Sequence, residues 1–181
     1  PILAQDPLPE GGVYVLELSS FQIDLTQSLD CDVAVLLNIT PDHLDRYESF
    51  EAYAAAKARL FEMQSANHCA VCRAQDWWFG TKAGARAGGG YLEVSDDVFH
   101  QWQCVPNPLG IPEQICWPAL QGPHNLENAQ AAISVGFVLD LTSDQIRTAL
   151  ETFPGLPHRM ERVREREGIL FINDSKATNP E

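Results

Sequence analysis

Residues 33–64 read VAVLLNITPDHLDRYESFEAYAAAKARLFEMQ, and the fold turns on this stretch. It opens on an apolar run, 33–39, of the kind that forms a strand buried on both faces. Thr40-Pro41-Asp42 then reads as a helix start: Thr as N-cap, Pro at the first helical position, an acid in the first turn. Residues 48–64 carry Phe50, Tyr53, Leu60 and Phe61 at helical spacing. Strand, turn and helix in this order predict an α/β protein with a mostly parallel sheet flanked by helices. Lys57 falls within the apolar stripe, four residues after Tyr53 and four before Phe61. An ammonium there loses hydration, so either its stem reaches outward or its nitrogen has a partner and a task.

Outward from this unit, 13–18 (VYVLEL) reads as a second buried strand ending near Glu17, and 69–72 as a third. Glu17 and Asn38 thus fall at carboxyl ends of strands, where ligands collect in open α/β sheets. Residues 91–94, 99–105 and 114–117 are expected to form a small antiparallel subregion after a short helix. Gly88-Gly89-Gly90 reads as a turn, since no Lys-Ser or Lys-Thr follows. Helices are expected over 129–139 and 142–152, the second capped by Thr142 or Ser143. Pro154-Gly155-Leu156-Pro157 breaks the latter. A hairpin is expected from 159–166 and 169–173 around Glu167-Gly168.

The 181 residues suit one large domain or a domain with a piece of another, and 45% hydrophobic content is enough for a core. Twelve Lys and Arg against 25 Asp and Glu give a net charge of −13, which argues against nucleic acid or an anionic membrane as partner. A phosphate ligand would therefore need positive charge supplied locally. Five cysteines, including Cys69-Ala-Val-Cys72 in an apolar run, read as buried thiols and fit a cytoplasmic protein. No apolar run approaches the roughly 18 residues of a membrane span. Pro1 without a preceding Met, and the strand-like GILFINDSKATNPE at the other end, predict an excised piece of a longer chain.

Several constellations have two readings. His43, between Asp42 and Asp45, either belongs to a charged helix start or ligates a metal beside Lys57. Glu17 is either an edge residue or a hard-oxygen ligand for magnesium. Asn125 and Asn128 either cap a helix or, three apart on one face, read an adenine edge. Asp174-Ser175-Lys176 is either a solvated turn or a ribose and phosphate contact, with Arg159 as a further contact.

Six segments together resemble the Mur ligases, the ATP-dependent amide ligases of peptidoglycan precursor synthesis. They are ELSSFQID (17–24), LNITPDHLDRY (37–47), YAAAKARLF (53–61), GPHNLENAQAAI (122–133), FPGLPHRMERV (153–163) and INDSKATNP (172–180). ELSSFQ and DSKATNP are most similar to the branch that joins D-glutamate to UDP-N-acetylmuramoyl-L-alanine through an acyl phosphate. The resemblance implies the P-loop-like central ATPase domain over 1–157, truncated at its N-terminal side. It also implies a hinge and the start of the C-terminal ligase domain over 158–181. Glu17 would bind one magnesium ion; His43 and a carbamylated Lys57 would bind a second, with catalytic roles for both. ATP would meet Asn125, Asn128, Arg159, Asp174 and Lys176. The muramoyl substrate would meet Ser19 and Gln22, and D-glutamate Thr178. A cytoplasmic monomer is expected.

The family's GxxxxGK[ST] phosphate loop does not occur in these 181 residues, so the piece alone is expected to be inactive. A sibling ligase adding another amino acid, or a non-catalytic module of the same fold, are the competing readings.

Overall fold

The computed structural model describes residues 6–40, 46–65, 67–73, 91–94 and 113–177, and of 73 and 91–94 the backbone. Its centre is a parallel sheet of β1 (Val33–Leu36), β2 (Cys69–Arg73) and β3 (Tyr91–Val94) in that spatial order. Val33 pairs with Cys69 and Leu36 with Cys72; Ala70 pairs with Tyr91 and Arg73 with Val94. Parallel neighbours need a crossover, and between β1 and β2 it is α2 (Phe50–Glu62). Ser49 starts α2, its Oγ accepting from Ala52 N at 3.2 Å.

Alternation along β1 and β2 puts Ala34, Leu36, Ala70 and Cys72 on one face, where they pack with Phe61 of α2. Val71, on the opposite face, is 1% exposed, as strands covered on both sides require. α3 (Pro123–Val138) lies against all three strands. α4 (Ser143–Thr152) packs on α3 around Trp117, Ala129, Ile133, Ile146 and Leu150. Gly136 permits this close approach, because a Cβ there would stand 3.0 Å from Ile146 Cδ1. α4 begins with the expected Thr142 cap, in a reciprocal box with Gln145.

The small antiparallel element is a hairpin, β4 (Glu161–Arg166) with β5 (Ile169–Asn173). Glu167 and Gly168 both have positive φ, 54° and 76°, the two-residue turn that matches strand twist. β5 leaves Ile169, Leu170, Phe171 and Ile172 all exposed, so neither face of this strand is covered among the described residues.

Three expectations differ. Residues 13–18 run as irregular backbone with Val15 91% exposed; a strand needs a ladder partner, and none of the described strands pairs with it. Tyr91–Val94 joins the parallel sheet instead of an antiparallel one. Residues 114–116 form a 3₁₀ turn, because the Gln114 side chain donates to Leu120 O and Gly122 O and closes the segment on itself. The expected strand at 99–105, the short helix before it and the glycine turn lie outside the described residues. Among the described residues no helix is long and apolar enough to cross a membrane.

The loop entering β2 is tied to the loop entering β1. Asp30 accepts from Ser65 N at 2.7 Å and from the Ser65 hydroxyl, and lies 2.8 Å from His68 Nδ1. The Ser65 hydrogen bonds, with help from His68, hold the Asp30 carboxyl below its ordinary pKa. A folded-state pKa below the unfolded one gives stability that is complete above the unfolded value and lost as pH falls through the folded one. Thermal melts of wild type and Asp30→Asn should therefore differ at neutral pH and converge in acid. A difference that stays constant down through the carboxylate range would sink this account.

Candidate active site

The carboxyl end of β1 gathers three segments. Lys57, just past the middle of α2, is half-buried; its Nζ donates to Asn38 O at 3.4 Å and stands 4.9 Å above the Tyr53 ring. Carbonyl oxygen and ring face together partly replace the hydration that the apolar stripe removes. The nitrogen thus has partners and stands at the sheet's ligand edge, less buried than the stripe alone implies.

α1 (Ser20–Leu25) packs on α2. Ser19 and Gln22 meet as its capping box: Ser19 N donates to Gln22 Oε1 at 2.8 Å, and Gln22 N to Ser19 Oγ at 3.3 Å. Their oxygens are thereby committed to the helix start, while Gln22 Nε2 has no acceptor among the described residues. Phe21 stacks on Tyr47 at 6.1 Å, and Tyr47 meets Tyr53 at 5.4 Å. Arg46 lies 3.9 Å over Phe21, and Tyr47 donates to Asp24 Oδ2 at 2.9 Å. Asn38 on one flank of 41–45, and Arg46 with Tyr47 on the other, are therefore both fixed beside α1 and α2. His43 itself lies outside the described residues.

The magnesium donor set is not assembled among the described residues. Glu17 is exposed on irregular backbone. An unmodified Lys57 is a donor only and cannot ligate a cation. No group of three or more His, Cys, Asp or Glu among the described residues is arranged to hold a metal.

A second cluster forms where the hairpin begins and ends. Asp174 Oδ1 accepts from Met160 N at 2.9 Å, and Lys176 N donates to His158 O at 2.9 Å. Arg159, Asp174 and Lys176 are thus brought to one place. His158 and Met160 hold left-handed backbone, φ 66° and 48°, which costs energy for such residues. Polar contacts hold the loop: Glu161 Oε2 accepts from His158 N at 2.9 Å and from Asn173 Nδ2 at 3.0 Å, and Asn173 Nδ2 lies 2.8 Å from His158 Nδ1. Residues 158–176 carry Arg159, Arg162, Arg164, Arg166 and Lys176 against Glu161, Glu165, Glu167 and Asp174. Five minus four gives +1 in a chain of −13, a local surplus suited to phosphate.

At α3, the N-cap is Gly122, with φ 90°, so neither asparagine caps the helix. Asn125 Nδ2 reaches back to Gln121 O at 3.0 Å. Asn128 is exposed on the same helical face, and its side chain makes no hydrogen bond among the described residues.

The Mur ligase middle domain family model matches residues 3–136. The chain belongs to the Mur ligase family. It is 54% identical over 183 residues to the UDP-N-acetylmuramoylalanine--D-glutamate ligase of Novosphingobium aromaticivorans, covering 99% of this chain and 39% of that protein. The protein of the same name from Zymomonas mobilis is 50% identical over 179 residues, with 99% and 38% covered. The chain therefore spans about two-fifths of the length of these relatives. Among solved structures, MurF from Acinetobacter baumannii superposes with a TM-score of 0.57 at 20% identity, over 79% of this chain and 33% of that one. At that identity the likeness speaks for the fold.

In this Mur ligase domain the structure unites Ser19, Gln22 and Lys57 around α1 and α2, and Arg159, Asp174 and Lys176 at the hairpin. No described hydrogen bond or ion pair joins either group to the other or to Asn125 and Asn128. Thr178 lies outside the described residues. Reading the sequence missed Asp24, Tyr47 and Arg59. Their only linear signal is that Arg59 follows Lys57 by two positions, while Asp24 and Tyr47 close the ELSSFQID and LNITPDHLDRY segments.

Proposed function

We propose that the chain is the central part of an ATP-dependent ligase that joins D-glutamate to UDP-N-acetylmuramoyl-L-alanine. The observation that carries this is 50–54% identity, across 99% of the chain, to proteins bearing that ligase's name. Residues 1–157 are read as the ATP-binding domain and 158–181 as the hinge and start of the next. The exposed apolar residues on both faces of β5 support that division.

The proposed chemistry is acyl activation. A carboxylate oxygen of the L-alanyl group attacks the γ-phosphorus of ATP, and ADP leaves. The neutral D-glutamate amine then attacks the acyl carbon, a tetrahedral intermediate forms, its nitrogen gives up a proton to solvent, and phosphate departs with the C–O electron pair. Arg159 and Lys176 would face the phosphates as charge-assisted donors. Asp174 would accept from the ribose while its other oxygen keeps the Met160 amide in place. The exposed amide of Asn128 and the half-buried amide of Asn125, whose Nδ2 also donates to Gln121 O, would offer the donors and acceptors that an adenine edge requires. Gln22 Nε2 is available to the muramoyl substrate. Magnesium would supply charge neutralisation between two anionic reactants.

The test is phosphate release by the full-length protein with ATP and UDP-N-acetylmuramoyl-L-alanine, each candidate amino acid being added in turn. Release dependent on D-glutamate is expected. Release dependent on a different amino acid would replace this substrate assignment.

A further inference from the structure

The geometry points to Arg59 as a positioning residue that fixes α1, and with it Ser19 and Gln22, relative to Lys57. This inference rests on the ligase reading above. Arg59 Nη1 donates to Asp24 O at 2.9 Å and to Ile23 O at 3.4 Å, and Nη2 donates to Thr26 O at 3.0 Å. The Asp24 carboxylate stands 3.8 Å from Nη1. These acceptors lie at the closing end of α1 and its C-cap, where helix carbonyls run out of intrahelical partners; of the three, Ile23 O is also met by Thr26 N at 3.0 Å. They also form the negative end of its dipole, where a cation is favoured.

α1 needs such an outside hold. It has six residues, far fewer than a helix requires to persist alone in water. Its N-terminal end is closed by the Ser19–Gln22 box, and its far end is closed by Arg59. A helix of that size is roughly 9 Å long and stiff, so a clamp at one end sets the other. Arg59 sits two residues after Lys57 on α2, so a single side chain relates the proposed muramoyl contacts to the lysine. Tyr47 holds the same Asp24 from the third segment. The planar fork matters, because one ammonium cannot span the Asp24 and Thr26 carbonyls as two separate nitrogens do.

The experiment compares full-length wild type, Arg59→Lys and Arg59→Ala. Hydrogen exchange of the Ile23 and Thr26 amides, both bonded within α1, should accelerate in the variants while β1 and β2 amides keep their rates. The KM for UDP-N-acetylmuramoyl-L-alanine should rise about tenfold in Arg59→Ala, as for loss of a charged hydrogen bond. KM for ATP should stay unchanged, and Arg59→Lys should recover only part of the loss. Unchanged α1 exchange and unchanged substrate KM in an active background would overturn the positioning role. Equal rises in both KM values would overturn it as well, indicating general destabilisation. Failure of wild type to release phosphate with D-glutamate would instead sink the ligase reading, and the exchange rates would then show separately whether Arg59 holds α1.

Discussion

Replacing Lys57 by alanine in the full-length protein is expected to lower D-glutamate-dependent phosphate release by about 10²- to 10³-fold, the cost of losing one preorganised electrostatic contact at a reacting centre. Lys57 stands at the carboxyl end of β1, with Asn38 O and the Tyr53 ring as its neighbours. Those neighbours suit a cation. The oxygen-ligand role that the resemblance implies would require carbamylation, in which the neutral amine attacks carbon dioxide and gives up a proton. Short carboxylates should then restore part of the activity of Lys57→Ala by filling the vacated oxygen position. Lys57→Arg should not respond, because the guanidinium fills the space and keeps its charge. Intact-mass measurement of wild type supplies a readout besides activity: a gain of one carbon dioxide, absent from both variants. Wild-type rates in Lys57→Ala without added carboxylate would remove any catalytic role for this residue.

Asp174→Ala is expected to raise KM for ATP by about 10- to 100-fold, the range of a lost hydrogen bond to a charged group, with KM for the muramoyl substrate unchanged. Two losses combine. The carboxylate no longer meets the ribose, and the Met160 amide loses the acceptor that holds its left-handed backbone. Asp174→Asn separates them, since its amide oxygen still accepts from Met160. An ATP KM near wild type in Asp174→Asn would mean that the residue acts through the loop. Equal weakening of both substrates in Asp174→Ala would refute the assignment to nucleotide. Lys176→Ala should likewise weaken ATP use selectively.

Local chemistry was legible and long-range chemistry was not. The β1 and β2 strands, α2, the Thr142 cap and the Glu167-Gly168 turn all emerged close to where residue type and spacing placed them. The helix, the cap and the turn depend on neighbours within a few positions; β1 and β2, with continuous apolar runs, also find each other as partners 36 residues apart. The 13–18 run misled because its apolar composition is a strand's, whereas strand structure depends on a partner elsewhere. Gln114 misled in the other direction, since its side chain closes a turn that composition does not announce. At the site, Lys57 was marked by its conflict with the apolar stripe; Arg159, Asp174 and Lys176 were marked by residue type with two readings open, and the resemblance favoured the nucleotide one. That the last three share one loop follows from hairpin register. Arg59 escaped notice because its acceptors lie 33 to 36 residues away. Reading Asn125 and Asn128 as caps fails for a simple reason: Gly122 occupies the capping position.

The uncovered side chains of 13–16 and 169–172 also govern how copies of this chain behave toward one another in solution. Two segments rich in Val, Ile, Leu and Phe, each with backbone or side chains open to solvent, are sticky surfaces for self-association. At neutral pH a charge of −13 opposes encounter between copies. That protection is colloidal, and it weakens with added salt and vanishes near the isoelectric point of about 4.6. Handling conditions for the 181-residue chain are thus set by its acidic residues, which keep apart surfaces that its own described fold does not cover.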